Sequence, residues 1–210
     1  MRYQQSDPDV RLMLRVRADD AAAYEELVRK YHPRLVRVLR SIGPRADLAE
    51  DLAQETFMRV WRARQRYEAG AKFSTWLFTI ATNVARNSSR RVGRRQEVNE
   101  VDAPPTADGS QAVGVLAATA LEASGMMPNR LVEGSERGEI IRQAVETLGD
   151  RQRTALMLSR FENMSYAEIA ETMGLTTQAV KSLLSRARVN LKEILQPYVD
   201  AGVIPPEARP

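Results

Sequence analysis

The chain has 210 residues, of which 31 are Lys or Arg, 27 are Asp or Glu, one is His and none is Cys. The missing thiols exclude disulfides and thiolate zinc sites and fit a reducing cytoplasm, and a lone His32 excludes a zinc site built on imidazoles. Aromatics are only 6% of residues against 28% charged, so the cores are expected to be small and helical.

The opening "MRYQQSDPDVRL" has no apolar core, so no signal peptide is expected. Apolar runs such as "WLF" and "VGVLAA" are too short to span a bilayer, so no membrane insertion is expected. The formal charge of +4 is unevenly placed. Residues 1–95 hold 20 basic and 11 acidic side chains, residues 96–136 hold 1 and 7, and residues 137–210 hold 10 and 9. A basic block, an acidic connector and a near-neutral block point to three functional pieces, and the basic one favours an anionic partner.

Asp19 to Tyr31 reads as a helix with Ala23, Leu27 and Tyr31 inward. Pro33 is placed to open the next helix, which runs to about Ile42 before Gly43-Pro44 breaks it. Asp47 to Arg66 is predicted helical, burying Ala49, Leu52, Ala53, Thr56 and Val60. A loop follows, and Ser74 then caps a helix with Trp76, Leu77, Ile80, Ala81 and Val84 inward. These elements make a helical domain over residues 1–95. Residues 96–136, with Pro104-Pro105, glycines and scattered acids, read as a flexible acidic linker in which residues 112–123 are equally compatible with a short helix. Residues 137–196 are helical again: Ala144 and Leu148 face inward, Asp150 is placed as an N-cap, and Pro197 is expected to close the last helix before a tail over 197–210.

The second helical block carries the sharpest local signal. Ser165 and Glu168 form an S-x-x-E capping box, with Ile169, Ala170 and Met173 as the inward stripe. Gly174 stands where the chain must turn, Leu175 plugs the corner, and Thr176 or Thr177 caps a basic second helix whose apolar side is Val180, Leu184, Ala187 and Leu191. This is the pattern of a helix-turn-helix, which lays its second helix in the major groove. On that helix Thr176, Thr177, Gln178, Lys181, Ser182 and Ser185 would face base edges and phosphates, while Arg186 and Arg188 would hold the backbone. A polar helix face is more commonly just solvated. The capping box, the Gly turn and the basic second helix together favour the DNA-reading role.

In the first block, Asp51, Gln54, Glu55, Met58, Arg59 and Arg62 fall at i, i+3, i+4, i+7, i+8 and i+11, a continuous stripe opposite the core. A solvated face and a metal site are the other readings, but no third acid or His lies nearby in sequence, and Met58 among charges suits protein docking. The loop around Arg66, Tyr67, Lys72, Phe73 and Ser74 interleaves aromatic and basic residues, which suits single-stranded nucleic acid. Trp76 is assigned to the core; for Tyr67 and Phe73 both a core and a base-stacking role stay open. The next helix presents Thr79, Asn83, Arg86, Asn87 and Arg90 and carries five Arg within Arg86–Arg95, more than a helix C-terminal dipole needs.

In this order, "YEELVRKYHPRLVRVLR", "DLAQETFMRVWR", "FSTWLFTIATNVARN" and "LGDRQRTALMLSRFENMSYAEIAETMGLTTQAVKSLLSRARVNL" resemble the extracytoplasmic-function (ECF) group of bacterial RNA polymerase sigma factors, over most of residues 20–95 and 137–195. The resemblance implies an all-α protein of two small helical domains joined by the linker, the second a helix-turn-helix domain. It implies that the stripe around Asp51, Gln54 and Glu55 holds the clamp helices of the polymerase β′ subunit. The loop from Tyr67 to Ser74 would capture a flipped base of the −10 element, and the helix with Asn83, Arg86 and Arg90 would flank the −10 duplex. The helix-turn-helix would read the −35 element and touch the β flap. The partners implied are core RNA polymerase, promoter DNA and an anti-sigma factor. No cofactor, metal or catalytic residue is expected.

The chain departs from the group in two ways. Leu183 follows "VKS", where many such proteins carry a basic residue, so it would meet a thymine methyl or pack on a partner. The linker is also long for the group. The rival readings are a stand-alone helix-turn-helix regulator of duplex DNA, and a recombinase or nuclease, for which the sequence offers no nucleophile or metal cluster.

Overall fold

The computed structural model describes residues 7–101 and 129–203, with side chains described for 7–92 and 137–203. Residues 112–123, left open above, lie outside them. Among the described residues the regular structure is helical: α1 (Pro8–Arg17), α2 (Ala21–Ile42), α3 (Ala49–Ala63), α4 (Phe73–Val101), α5 (Asn129–Glu146), α6 (Asp150–Glu162), α7 (Tyr166–Met173) and α8 (Thr177–Asp200).

No helix was expected where α1 lies. Asp7 caps it by accepting a bond from the Asp9 N–H at 2.9 Å, Pro8 sits in its first turn, and Val10, Met13 and Val16 are buried at i, i+3, i+6. Asp9 is the polar exception on the buried side. Its carboxylate accepts from Lys30 Nζ at 2.5 Å and from the Tyr31 hydroxyl at 2.7 Å, which pins α1 to α2. Burial, aided by Asp9, pushes the Tyr31 hydroxyl far above the usual phenol range.

Several expected helix boundaries move. Pro33 lies inside α2 and does not open a new helix. It is exposed, it removes only one backbone donor, and buried Tyr31 and Leu35 on either side hold both segments to the core. The expected Asp47–Arg66 helix is divided into α3 flanked by short 3-10 turns at Ala46–Leu48 and Arg64–Arg66. Gly149, not Asp150, takes the N-cap place of α6, and Asp150 sits in the first turn, where a carboxylate meets the positive end of the helix dipole. Pro197 lies inside α8, which continues to Asp200, with Leu195 buried and Val199 packed near it on the core side. At the other two ends, α4 runs on to Val101 and α5 starts at Asn129, so helix reaches into both edges of the segment read as linker.

The expected inward stripes are buried: Ala23, Leu27 and Tyr31 on α2; Leu52, Ala53, Thr56 and Val60 on α3; Val180, Leu184 and Ala187 on α8. Gly43 ends α2 at a close approach, where a Cβ would stand 2.7 Å from the Leu39 carbonyl oxygen and 3.1 Å from Leu52 Cδ1. One apolar cluster runs from α1–α4 into α6, α7 and the first turns of α8, so the two helical halves share a core. A smaller cluster joins α5 to the far half of α8 through Ala144, Leu148, Leu191 and Leu195.

Asp9→Ala removes the acceptor of a buried hydroxyl as well as an ion pair. It is expected to lower stability by about 1–3 kcal/mol in urea unfolding, while Asp9→Asn, which keeps an acceptor for Tyr31, loses less. Equal losses in the two variants contradict the assigned role of the Tyr31 hydroxyl.

Candidate nucleic-acid and protein interface

The helix-turn-helix is built as its local sequence dictates. The Ser165 N–H donates to Glu168 Oε2 at 2.7 Å and the Glu168 N–H donates back to Ser165 Oγ at 3.3 Å, closing the capping box. Gly174 adopts φ 64°, the left-handed conformation that ends α7 sharply. Thr176 caps α8 by accepting from the Ala179 N–H at 3.2 Å. Val180, Leu184 and Ala187 anchor α8 below, which leaves Thr177, Gln178, Lys181, Ser185, Arg186 and Arg188 exposed. Thr176 is exposed as well, and Ser182 is half-buried. Leu183 is half-buried against the main core cluster, which accounts for an apolar residue there without a thymine contact.

On α3 the core stripe fixes the opposite face. Asp51, Gln54, Met58 and Arg62 are exposed, and half-buried Glu55 and Arg59 pair with each other at 2.7 Å. Met58 is 47% exposed, high for so apolar a side chain. It borders a shallow apolar hollow with Ala21, Tyr24, Trp61 and Arg62. Tyr24 and Trp61 extend this surface beyond the expected stripe. The Tyr24 ring lies 4.9 Å from that of Trp61, and its hydroxyl donates to the Phe57 carbonyl at 2.8 Å. Trp61, three residues after Met58, could have been read from helical spacing.

The loop before α4 corrects the expectation for its aromatics. Tyr67 is 1% exposed and Phe73 0%. Phe73 packs edge-on to Tyr31 with centroids 5.1 Å apart, and Tyr67 edge-on to Trp76 at 5.0 Å. The alternative left open by the sequence is thus decided by packing: in this arrangement both rings are core, and neither offers a face to a base. The Tyr67 hydroxyl is buried with no hydrogen-bond partner among the described residues, and burial pushes its pKa up to about 12. Arg66 is exposed and Ser74 half-buried. Lys72 is exposed but pairs with Glu168 of α7 at 2.8 Å.

On α4, Asn83, Arg86, Asn87 and Arg90 are exposed and Thr79 is half-buried. Arg86 and Arg90 border a cleft of about 310 Å³ whose far wall is Asp150, Arg151 and Thr154 at the start of α6 and the turn at Gly174. The arginine stripe thus faces the second helical half across a gap. Among the described residues no group of three His, Cys, Asp or Glu side chains is placed to hold a metal ion, and no helix is long and apolar enough to cross a membrane.

Residues 27–95 match the Sigma-70 region 2 family, and residues 138–191 match the Sigma-70, region 4 family. The chain is 32% identical over 193 residues to the RNA polymerase sigma-H factor of Pseudomonas aeruginosa, covering 92% of this chain and 96% of that protein. It is 31% identical over 193 residues to the ECF RNA polymerase sigma-E factor of Escherichia coli strain K12, covering 90% and 94%. A solved structure of the sigma factor RpoE from Bartonella quintana, in complex with the anti-sigma factor NepR, superposes with a TM-score of 0.61 at 27% identity over 82% of this chain and 96% of that one.

Because its hydroxyl has no hydrogen-bond partner among the described residues, Tyr67→Phe is expected to leave stability unchanged or to raise it by up to about 1 kcal/mol, by denaturant titration. Tyr67→Ala, which empties the ring's site, is expected to cost roughly 3–5 kcal/mol. A marked loss in the Phe variant would mean that the hydroxyl is bonded after all.

Proposed function

The chain belongs to the ECF group of bacterial RNA polymerase sigma factors, and on that footing we propose how its surfaces divide the work. It is a dissociable specificity subunit: it binds core polymerase, directs it to a promoter and helps to open the DNA. It acts in the cytoplasm, where polymerase and promoter are. As a transcription initiation factor it contributes contacts and no catalytic group of its own; the chemistry of RNA synthesis belongs to the polymerase.

Three surfaces carry the reading. The exposed stripe Asp51, Gln54, Met58 and Arg62, widened by Trp61, has the mixed acidic and apolar character of a protein-docking face and is assigned to the β′ clamp helices. The exposed face of α8 is assigned to the −35 element. There Gln178 has the two-pronged amide that reads adenine, and Lys181 can take guanine or a phosphate. Arg186 and Arg188 add sequence-independent grip on the backbone. The −10 element is assigned to Arg66, Lys72 and Ser74 with Asn83, Arg86, Asn87 and Arg90 of α4. With Tyr67 and Phe73 committed to the core, an unstacked base is held there by polar and cationic groups rather than by an aromatic stack.

The domain division also stands as proposed: residues 1–95 for polymerase and the −10 element, 137–196 for the −35 element and the β flap, and 96–136 between them. The RpoE relative was solved bound to an anti-sigma factor, and the same kind of partner is proposed here to mask the polymerase and DNA faces. The observation that carries the reading most directly is the capped, Gly-turned α7–α8 pair presenting an open basic face on the same chain as the α3 docking stripe.

Mixed with core polymerase free of any sigma factor, the wild type is expected to co-elute in size-exclusion chromatography. Asp51→Ala with Glu55→Ala is expected to bind at least tenfold more weakly, about 1.4 kcal/mol. If neither protein co-elutes while the free chain shifts duplex DNA tightly, it works as a stand-alone regulator. Separately, Arg188→Ala is expected to weaken binding to all promoter sequences alike and to flatten the log–log salt dependence by about one unit. Gln178→Ala should instead relax preference at one −35 position; a uniform effect from Gln178→Ala would remove it from base reading.

A further inference from the structure

A cavity of about 620 Å³ opens at the seam between the two helical halves, where α2, α5 and α6 face one another. That is the size of a small-molecule site. Its floor is apolar: Val36 of α2, Ile141 and Val145 of α5, and Met157 and Phe161 of α6. Phe161 is 43% exposed, an aromatic ring left uncovered on the cavity wall.

The cavity has a polarity along its length. Helices α2 and α6 run antiparallel: Arg34 meets Glu162 at the end of α6, and Ile42 borders the same cleft as Asp150 and Arg151 at its start. Arg40 and Arg153 therefore belong to one end of the cavity, and Pro33 and Phe161 to the other. At the second end Arg37 lies over the Phe161 ring, 5.8 Å from its centroid, and His32 pairs with Glu50 at 3.2 Å. On the α5 wall, Arg142 spends its charge on Glu139 and Glu146. The two cations of the first end are short of acceptors. Arg40 is exposed and has no ion-pair partner among the described residues. The Arg153 side chain is only 19% exposed and meets Asp150, itself 90% exposed, at 2.8 Å. Its Nε is buried with no hydrogen-bond partner among the described residues. An ion pair so open to water contributes little, so Arg153 can exchange Asp150 for another carboxylate at small cost.

Gly138 stands in the α5 wall of the cavity. A glycine inside a helix is costly against alanine, and here no neighbour demands it: a Cβ added at Gly138 would have nothing within 4 Å. The missing side chain keeps that wall open.

We propose that this cavity binds an amphipathic carboxylate, a single-chain fatty acid, with its head at Arg40 and Arg153 and its chain laid along Val36, Met157 and Phe161. The arginines give the head charge-assisted hydrogen bonds, and the chain displaces water from hydrocarbon walls. A short anion leaves the floor uncovered, and a neutral chain leaves the guanidinium groups without an acceptor. A peptide helix, about 10–12 Å across with its side chains, would use up this volume in about one turn, whereas a single alkyl chain lies within it. The binding does not depend on the sigma-factor reading above.

The test titrates the full chain with dodecanoate, below its micelle concentration, in a calorimeter. One molecule is expected to bind per chain. Dodecyltrimethylammonium, with the same alkyl chain and the opposite charge, is expected to bind at least tenfold more weakly. Arg40→Glu is expected to weaken dodecanoate binding at least tenfold. Gly138→Phe, which puts a ring into the open wall, is expected to abolish binding while its thermal midpoint without ligand stays at the wild-type value or above. Gly138→Ala, which leaves the space unfilled, is expected to bind as the wild type does.

Equal binding of the two amphiphiles overturns the site, and so does a folded Gly138→Phe variant that binds dodecanoate as tightly as the wild type. If Gly138→Phe melts early, Arg40→Glu decides, because that side chain is exposed and the substitution leaves the core alone: undiminished binding there overturns the site. Absence of saturable binding to the wild type overturns it as well. If light scattering then shows a dimer that Gly138→Phe dissolves, the groove belongs to a second copy of the chain; if it shows a monomer, the groove is left to a partner's helix.

Discussion

Glu162 must have Arg34. A carboxylate with no exposed surface is unstable without a cation, and burial pushes its pKa up even though Arg34 draws it back down. That requirement fixes where the end of α6 can sit on α2, because only one position on α2 brings Arg34 to it. The pair is also the last step of a longer line. Lys30 and the Tyr31 hydroxyl both meet Asp9 of α1, the Arg34 guanidinium lies 4.6 Å over the Tyr31 ring, and Arg34 then reaches Glu162. Three helices are thus registered by one run of α2, where Lys30 and Tyr31 meet α1 and Arg34 meets α6. The apolar cluster supplies most of the attraction between the halves, since burial of hydrocarbon is non-directional. The polar line decides which face meets which.

Glu168 plays a similar double part. One of its oxygens accepts from the Ser165 N–H and starts α7, while the other takes Lys72 from the first half. The residue that builds the helix-turn-helix is therefore the one that holds the loop before α4. Local folding of α7 presents a carboxylate at the seam at no further conformational cost, because the capping box has already frozen that side chain. Its pKa lies below the usual glutamate value: burial alone would raise it, and the bonds from Lys72 and Ser165 outweigh that. The charge that both contacts need is therefore kept at neutral pH.

What could be read from the sequence was local. Helical spacing gave the buried stripes of α2, α3 and α8, and the capping box, Gly174 and Thr176 gave the helix-turn-helix with its exposed face, because each depends on residues within four or five positions. The α1 helix is not announced by the sequence, since its buried residues Val10, Met13 and Val16 lie among charges in a short segment and Asp9 meets α2 only in the fold. Pro33 and Pro197 misled because a proline costs only a local bond, which tertiary packing on either side can offset. Tyr67 and Phe73 could not be assigned because an aromatic beside arginines looks the same whether it stacks on a base or on Tyr31. The seam was out of reach altogether: Arg34 and Glu162 are 128 positions apart, and no periodicity links them.

The exposed surfaces differ in physical character. Met58 and Trp61 present apolar area on α3 that costs free energy in water and is regained only when something covers it. The face of α8 is basic instead, and its charges act at a distance.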